Sequence, residues 1–148
     1  MIPPPFDYHA PKTLPEAIAL LGKLGEDAKI LSGGQSLLPL LKLRFASPGH
    51  LVDIGRIPGL DYVKEDGGFL RIGALVREAA LESNPIITAK YPILTDTARV
   101  IADPIVPNLA TVCGNLAHGD PANDHPATML ALGASVVLTG PSGTRQLP

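Results

Sequence analysis

A single cysteine, Cys113, stands among the 148 residues, and tryptophan is absent. One thiol cannot form a disulfide within the chain, a CxxC redox pair, or by itself the ligand set of an iron–sulfur cluster. Charge is equally sparse: 12 Lys or Arg against 14 Asp or Glu leave a net charge of −2, and charged residues make up only 18% of the chain. A basic surface for nucleic acid is therefore not expected. No apolar run reaches the roughly 20 residues that a membrane-spanning helix needs. The opening Met1-Ile2-Pro3-Pro4-Pro5 lacks the basic and apolar regions of a signal peptide. These features together predict a cytoplasmic chain with no membrane span and no nucleic-acid partner. In contrast, 15 Gly and 16 Pro are spread along the sequence without a repeat, which points to many turns and to sites lined by backbone. With 45% apolar residues, the chain can bury a core as one domain or as two small lobes.

The local pattern is of the α+β class. Thr13-Leu14-Pro15-Glu16 has the form of a capping box, Ala17, Ile18, Leu21 and Leu24 follow at helical spacing, and Gly25 is a stop. A strand over 29–32 runs into Gly33-Gly34, a short helix or tight turn follows over 36–41, and a second strand spans 51–54. Residues 1–55 thus read as a small α/β lobe, with a linker at Gly55 to Gly59. Residues 56–148 read as the first part of a second lobe. There, 61–65 and 69–73 flank the hairpin turn Asp66-Gly67-Gly68. Helices are expected over 76–83, ended by Asn84-Pro85, and over 92–102; 103–110 is expected to be loop. Asp124 is placed to cap a helix over 125–132, and a strand over 134–138 leads through Gly140-Pro141-Ser142-Gly143 to a last strand over 144–147. A strand edge left open at the end of the sequence suggests C-terminal truncation.

Two stretches have the makings of a site. Ser32-Gly33-Gly34-Gln35-Ser36 places consecutive glycines at a strand-to-helix junction, where backbone N–H groups can face an anion with no Cβ in the way. It matches neither G-x-G-x-x-G nor the P-loop, so a plain turn is the competing reading. The second stretch, Thr111 to Asp124, reads as a long loop. Its polar residues Thr111, Asn115, His118, Asp120 and Asp124 surround Gly114 and Gly119, as in a loop that wraps a polar cofactor. His118, Asp120, Asp124 and His125 are plausible metal-ligand types, but their spacing fits no familiar zinc signature, and no metal site is predicted. No residue stands out as a catalytic acid, base or nucleophile.

Taken together, Ser32-Gly33-Gly34-Gln35-Ser36-Leu37-Leu38, Thr111-Val112-Cys113-Gly114-Asn115, Asp120-Pro121 and Asp124-His125-Pro126-Ala127 resemble the FAD-binding medium subunit of molybdenum hydroxylases, the carbon monoxide dehydrogenase and xanthine dehydrogenase type. Phe6-Asp7-Tyr8, Pro15-Glu16-Ala17, Val52-Asp53-Ile54 and Ile72-Gly73-Ala74 fall in the same order, so the resemblance covers the whole chain. It implies a two-lobed FAD-binding domain whose pyrophosphate lies between the two glycine stretches. The site it implies comprises Leu31, Ser32, Gly33, Gly34, Gln35, Ser36, Leu37, Ile101, Ala102, Thr111, Val112, Cys113, Gly114, Asn115, Ala117, Asp120 and Asp124. Ile101 and Ala102 would lie near the flavin or its linker, and Asp124 would hydrogen-bond the cofactor. It further implies an electron relay, with a molybdopterin-binding large subunit and a [2Fe–2S] small subunit as partners and FAD passing electrons to an external acceptor. A different reading from the same residues is a non-catalytic assembly or nucleotide-binding module that keeps the fold without flavin. Cys113 and Ala110 stand where glycine is common in that family, and Pro107 where arginine is common. A positive φ at position 113 would cost about 1–2 kcal/mol. Family members also continue well beyond residue 148.

Overall fold

A computed structural model describes residues 1–101 and 106–148. Their contacts group into two compact units, 1–58 with 135–148, and 59–134. The sequence division at 55/56 instead assigns 135–148 to the second lobe. The difference arises because those residues form a hairpin whose place depends on long-range contacts that local pattern does not encode.

The first unit is built on a parallel three-stranded sheet. Strands β1 (Asp7–His9), β2 (Ala28–Leu31) and β3 (His50–Asp53) lie in the order β1-β3-β2, with Asp7 and Ala28 both opposite His50. Helices α1 (Leu14–Leu24) and α2 (Leu37–Lys42) make the connections. The α1 start is set locally: the Thr13 hydroxyl accepts from the Glu16 N–H at 3.3 Å. Glu16 reaches back one residue further than in a standard capping box, accepting from the Lys12 N–H at 2.8 Å. The central strand buries Leu51 and Val52, and Ala17, Ala28 and Leu41 of the same unit are buried as well. Strands β6 (Val136–Gly140) and β7 (Gly143–Leu147) pair as an antiparallel hairpin.

Among its described residues the second unit joins a hairpin to five helices. Strands β4 (Val63–Asp66) and β5 (Phe69–Ile72) turn through Gly67 and Gly68, both at positive φ, as a two-residue hairpin loop requires. Helices α3 (Glu78–Ser83), α4 (Pro85–Lys90), α5 (Pro92–Val100), α6 (Val112–His118) and α7 (Asp124–Ala131) follow. Val76, Leu81, Ile87, Leu94, Ala98 and Val112 form the core, packed from outside by Val63, Leu70, Ile72 and Met129.

Three expectations are corrected here. Asn84-Pro85 is more than a stop: the Asn84 side chain accepts from the Ile86 and Ile87 N–H groups and starts α4, with Pro85 in its first turn. The stretch from Thr111 is a helix over its first half, because Thr111 caps it and Gly119, at φ 67, ends it. The cap position of α7 falls on Asn123, which leaves Asp124 as the first helical residue. Ala102 and the expected loop residues 103–105 lie outside the described residues.

The core makes a direct prediction. Leu81 is 0% exposed, whereas Leu130 is 81% exposed. Leu81→Ala should cost about 2–5 kcal/mol in urea unfolding, and Leu130→Ala no more than about 0.5 kcal/mol. Equal losses would show that the core lies elsewhere.

Candidate functional site

The first stretch leaves β2 at Leu31 and enters α2 at Leu37. Gly34 adopts φ 79, in the left-handed region, whereas Gly33 does not. Such a change of sign between neighbours turns successive N–H groups to one side and forms a concavity for an anion. The Gly34 carbonyl is committed, accepting from the Leu38 N–H at 2.9 Å. In contrast, the N–H groups of Gly33, Gly34 and Gln35 have no acceptor among the described residues. Residues 31–37 are all half-buried, so these donors are neither sealed in a core nor held on a flat surface. A group with several negatively charged oxygens would satisfy them.

The second stretch is organised by the chain that precedes α3. Arg77 and Thr111 form an isolated antiparallel bridge. The Val112 N–H donates to the Val76 carbonyl and the Glu78 N–H to the Ala110 carbonyl, each at 3.1 Å. The Arg77 guanidinium also donates to the Leu109 carbonyl. From this seam α6 begins, with the Thr111 hydroxyl accepting from the Gly114 N–H at 3.2 Å and the Thr111 carbonyl from the Asn115 N–H at 3.0 Å. Position 114 is tight, since a Cβ there would meet Thr111 Oγ1 at 2.5 Å. Cys113 has no positive φ, so the strain considered for a side chain at that position is absent. Its thiol is 3.7 Å from the Gly73 carbonyl, and burial pushes its pKa up.

The expected residues of the second stretch differ in what they can offer. Thr111 and Val112 are buried; Val112 belongs to the core, and its N–H is already used. Cys113, Gly114 and Asn115 are half-buried, while Ala117, Asp120 and Asp124 are exposed. One Asp120 oxygen accepts from the Ala122 N–H at 2.8 Å, and another lies 3.9 Å from His118 Nε2. Asn123 ties the two ends of the stretch together, its side chain donating to the Asn115 carbonyl at 3.0 Å. Ile101 is half-buried and follows α5, with its N–H on the Ala98 carbonyl at 3.2 Å.

The four metal-ligand types separate in space. His118 and Asp120 are near each other, whereas His125 is fully buried with its Nε2 3.4 Å from Glu78 Oε1. Among the described residues no three His, Cys, Asp or Glu side chains converge as a metal set. Glu78 had no signal in the sequence, because an acidic residue at a helix start reads as a solvated first turn. Among the described residues no helix is long and apolar enough to cross a membrane.

Comparison with known proteins identifies the family. The profile of the FAD binding domain in molybdopterin dehydrogenase matches residues 4–148. The chain is 55% identical to the carbon monoxide dehydrogenase medium chain of Hydrogenophaga pseudoflava, over 100% of this chain and 52% of that relative. It is 50% identical to the carbon monoxide dehydrogenase medium chain of Afipia carboxidovorans, over 98% of this chain and 50% of that relative. The solved structure of carbon monoxide dehydrogenase from Hydrogenophaga pseudoflava lacking the Mo-pyranopterin moiety superposes with a TM-score of 0.97 at 56% identity, covering 100% of this chain and 52% of that one. The chain thus spans about half the length of these relatives. Sequence, fold and the profile match agree that this chain belongs to the family of FAD-binding domains of molybdopterin dehydrogenases.

Proposed function

We propose that the chain is the FAD-holding part of a molybdenum hydroxylase flavoprotein subunit, and that residues 31–37 hold phosphate oxygens of the cofactor through backbone N–H groups. The observation that carries this reading is the set of donors on Gly33, Gly34 and Gln35 with no acceptor among the described residues. A pyrophosphate needs several donors at once, and a chain of net charge −2 has no excess of basic side chains to supply them. The second stretch contributes to the same cofactor through Cys113, Gly114, Asn115, Ala117, Asp120 and Asp124, with Ile101 nearby. The Val112 side chain and N–H serve the core and the seam, so its share is to place its neighbours.

Bound FAD would supply the redox chemistry, and the protein's part is to bind, orient and shield it. In the full assembly a molybdopterin-binding large subunit oxidises the substrate and a [2Fe–2S] small subunit passes electrons to this flavoprotein, which delivers them to an external acceptor. Two relatives named as medium chains of carbon monoxide dehydrogenase support such a three-part enzyme. The single Cys113 is consistent with clusters held on another subunit.

The test is titration of FAD into the flavin-free intact protein. Gly34→Val puts a branched side chain at φ 79, with its Cβ 3.0 Å from Leu38 Cδ1; Gly114→Val collides with the cap hydroxyl of Thr111. Each should weaken FAD at least tenfold, about 1.4 kcal/mol. Gly25→Ala, at the end of α1, should lower stability modestly and leave FAD affinity intact. If the Gly34 and Gly114 variants bind like the parent, or Gly25→Ala loses as much as they do, the assignment is wrong.

Cys113 gives a second, chemical readout. Because burial raises its pKa, little thiolate exists at neutral pH, and the thiolate is the reactive form. Alkylation by iodoacetamide at pH 7 should be slower than that of a free cysteine, and should accelerate as the pH is raised. A rate at pH 7 equal to or above that of free cysteine would contradict the burial described here.

A further inference from the structure

Glu78 is 1% exposed and His125 0% exposed, and both lie in the unit that carries the second stretch. A single carboxylate oxygen, Oε1 of Glu78, faces two partners. The Asn115 side-chain amide donates to it at 3.5 Å, and His125 Nε2 lies 3.4 Å away. Asn115 sits in the first turns of α6, and His125 follows Asp124 at the start of α7. The Glu78 backbone is itself fixed, its N–H donating to the Ala110 carbonyl at 3.1 Å. One buried side chain therefore reaches from α3 to both of the helices that border the proposed cofactor residues.

Stability is a poor reason for such an arrangement. Glu78 Oε2, Asn115 Oδ1 and both ring nitrogens of His125 are buried with no hydrogen-bond partner among the described residues. Buried polar groups left without partners oppose folding, and well-packed apolar side chains in place of a buried ionisable pair are often neutral or stabilising. What the carboxylate provides is direction. A carboxylate only accepts, so it fixes the Asn115 amide with its nitrogen inward and holds the turn that bears Gly114 and Asn115. The same oxygen lies 3.4 Å from His125 Nε2, a buried polar contact at the start of α7, one residue from Asp124.

We propose that Glu78 is a positioning residue for the cofactor, holding Asn115 directly and Asp124 through His125. This rests on the assignment of residues 111–124 to FAD made above. It predicts that the hydrogen-bonding shape of the side chain matters rather than its charge: Gln has the same length, and its amide oxygen can take the place of Oε1, accepting from Asn115 and facing His125 Nε2.

FAD titration and thermal unfolding of the intact flavin-free protein test the proposal with three variants. Glu78→Gln should bind FAD within about threefold of the parent. The double replacement Glu78→Leu with His125→Leu should unfold within a few degrees of the parent yet bind FAD at least tenfold more weakly. Parent-like binding by the double variant overturns the proposal, as does a Gln variant as weak as the double one. Should the double variant not fold, Glu78→Asp decides: its carboxylate is one methylene too short for both partners and should weaken FAD at least fivefold, so that parent-like affinity overturns the role. Gly114→Val separates the two readings. If it binds FAD normally, residues 111–124 are not at the cofactor and both readings fail; if it is weak while the double variant is normal, only the role of Glu78 fails.

Discussion

The second unit depends on the short backbone seam between residues 76–78 and 110–112. Two N–H···O bonds, which together make up the Arg77–Thr111 bridge, join chain segments more than 30 residues apart. That crossing puts Val76 and Val112 into one core and sets where α6 begins. It also turns Glu78 inward at the start of α3. Thr111 acts twice, as a strand-like partner to Arg77 and as the cap whose hydroxyl holds the Gly114 N–H. The space for a side chain at position 114 follows from that cap, and the place of the cap follows from the seam.

The first unit achieves a related result by simpler means. A parallel strand must hand over to its crossover helix at one end of the sheet, and here the handover is Gly33-Gly34. The left-handed φ of Gly34 allows α2 to begin at once, with the Leu38 N–H on the Gly34 carbonyl. Helix and strand are satisfied by that geometry, while the N–H groups of Gly33, Gly34 and Gln35 have no acceptor among the described residues. In ordinary folded structure such donors find partners. Their condition here is the physical basis for assigning the cofactor's phosphates to this turn.

The local signals were legible where cause and effect are close in the chain. Thr13 and Glu16 lie within one helical turn of the bonds they make, and Gly67-Gly68 fixes its own hairpin. The start of α4 was also available, since Asn84 followed by Pro85 is a start signal as much as a stop; reading proline only as a breaker concealed it. For α6, the polar residues and Gly114 suggested loop, although Thr111 and Gly119 mark its two ends. Glu78 is of another kind. Its partner Asn115 is 37 residues away, and no local pattern distinguishes an inward acidic residue from a solvated one. The grouping of 135–148 with 1–58 was hidden for the same reason.

The central claim is that backbone N–H groups of the Gly33–Gln35 turn hold the phosphates of FAD. Backbone amide NMR of the intact protein, isotopically labelled and titrated with FAD and separately with riboflavin, tests it most directly. The account predicts that the amide resonances of Gly33, Gly34 and Gln35 move strongly with FAD and stay near their free positions with riboflavin, which has no phosphate. Unchanged resonances at these three residues under saturating FAD, or equal shifts with riboflavin, would contradict it.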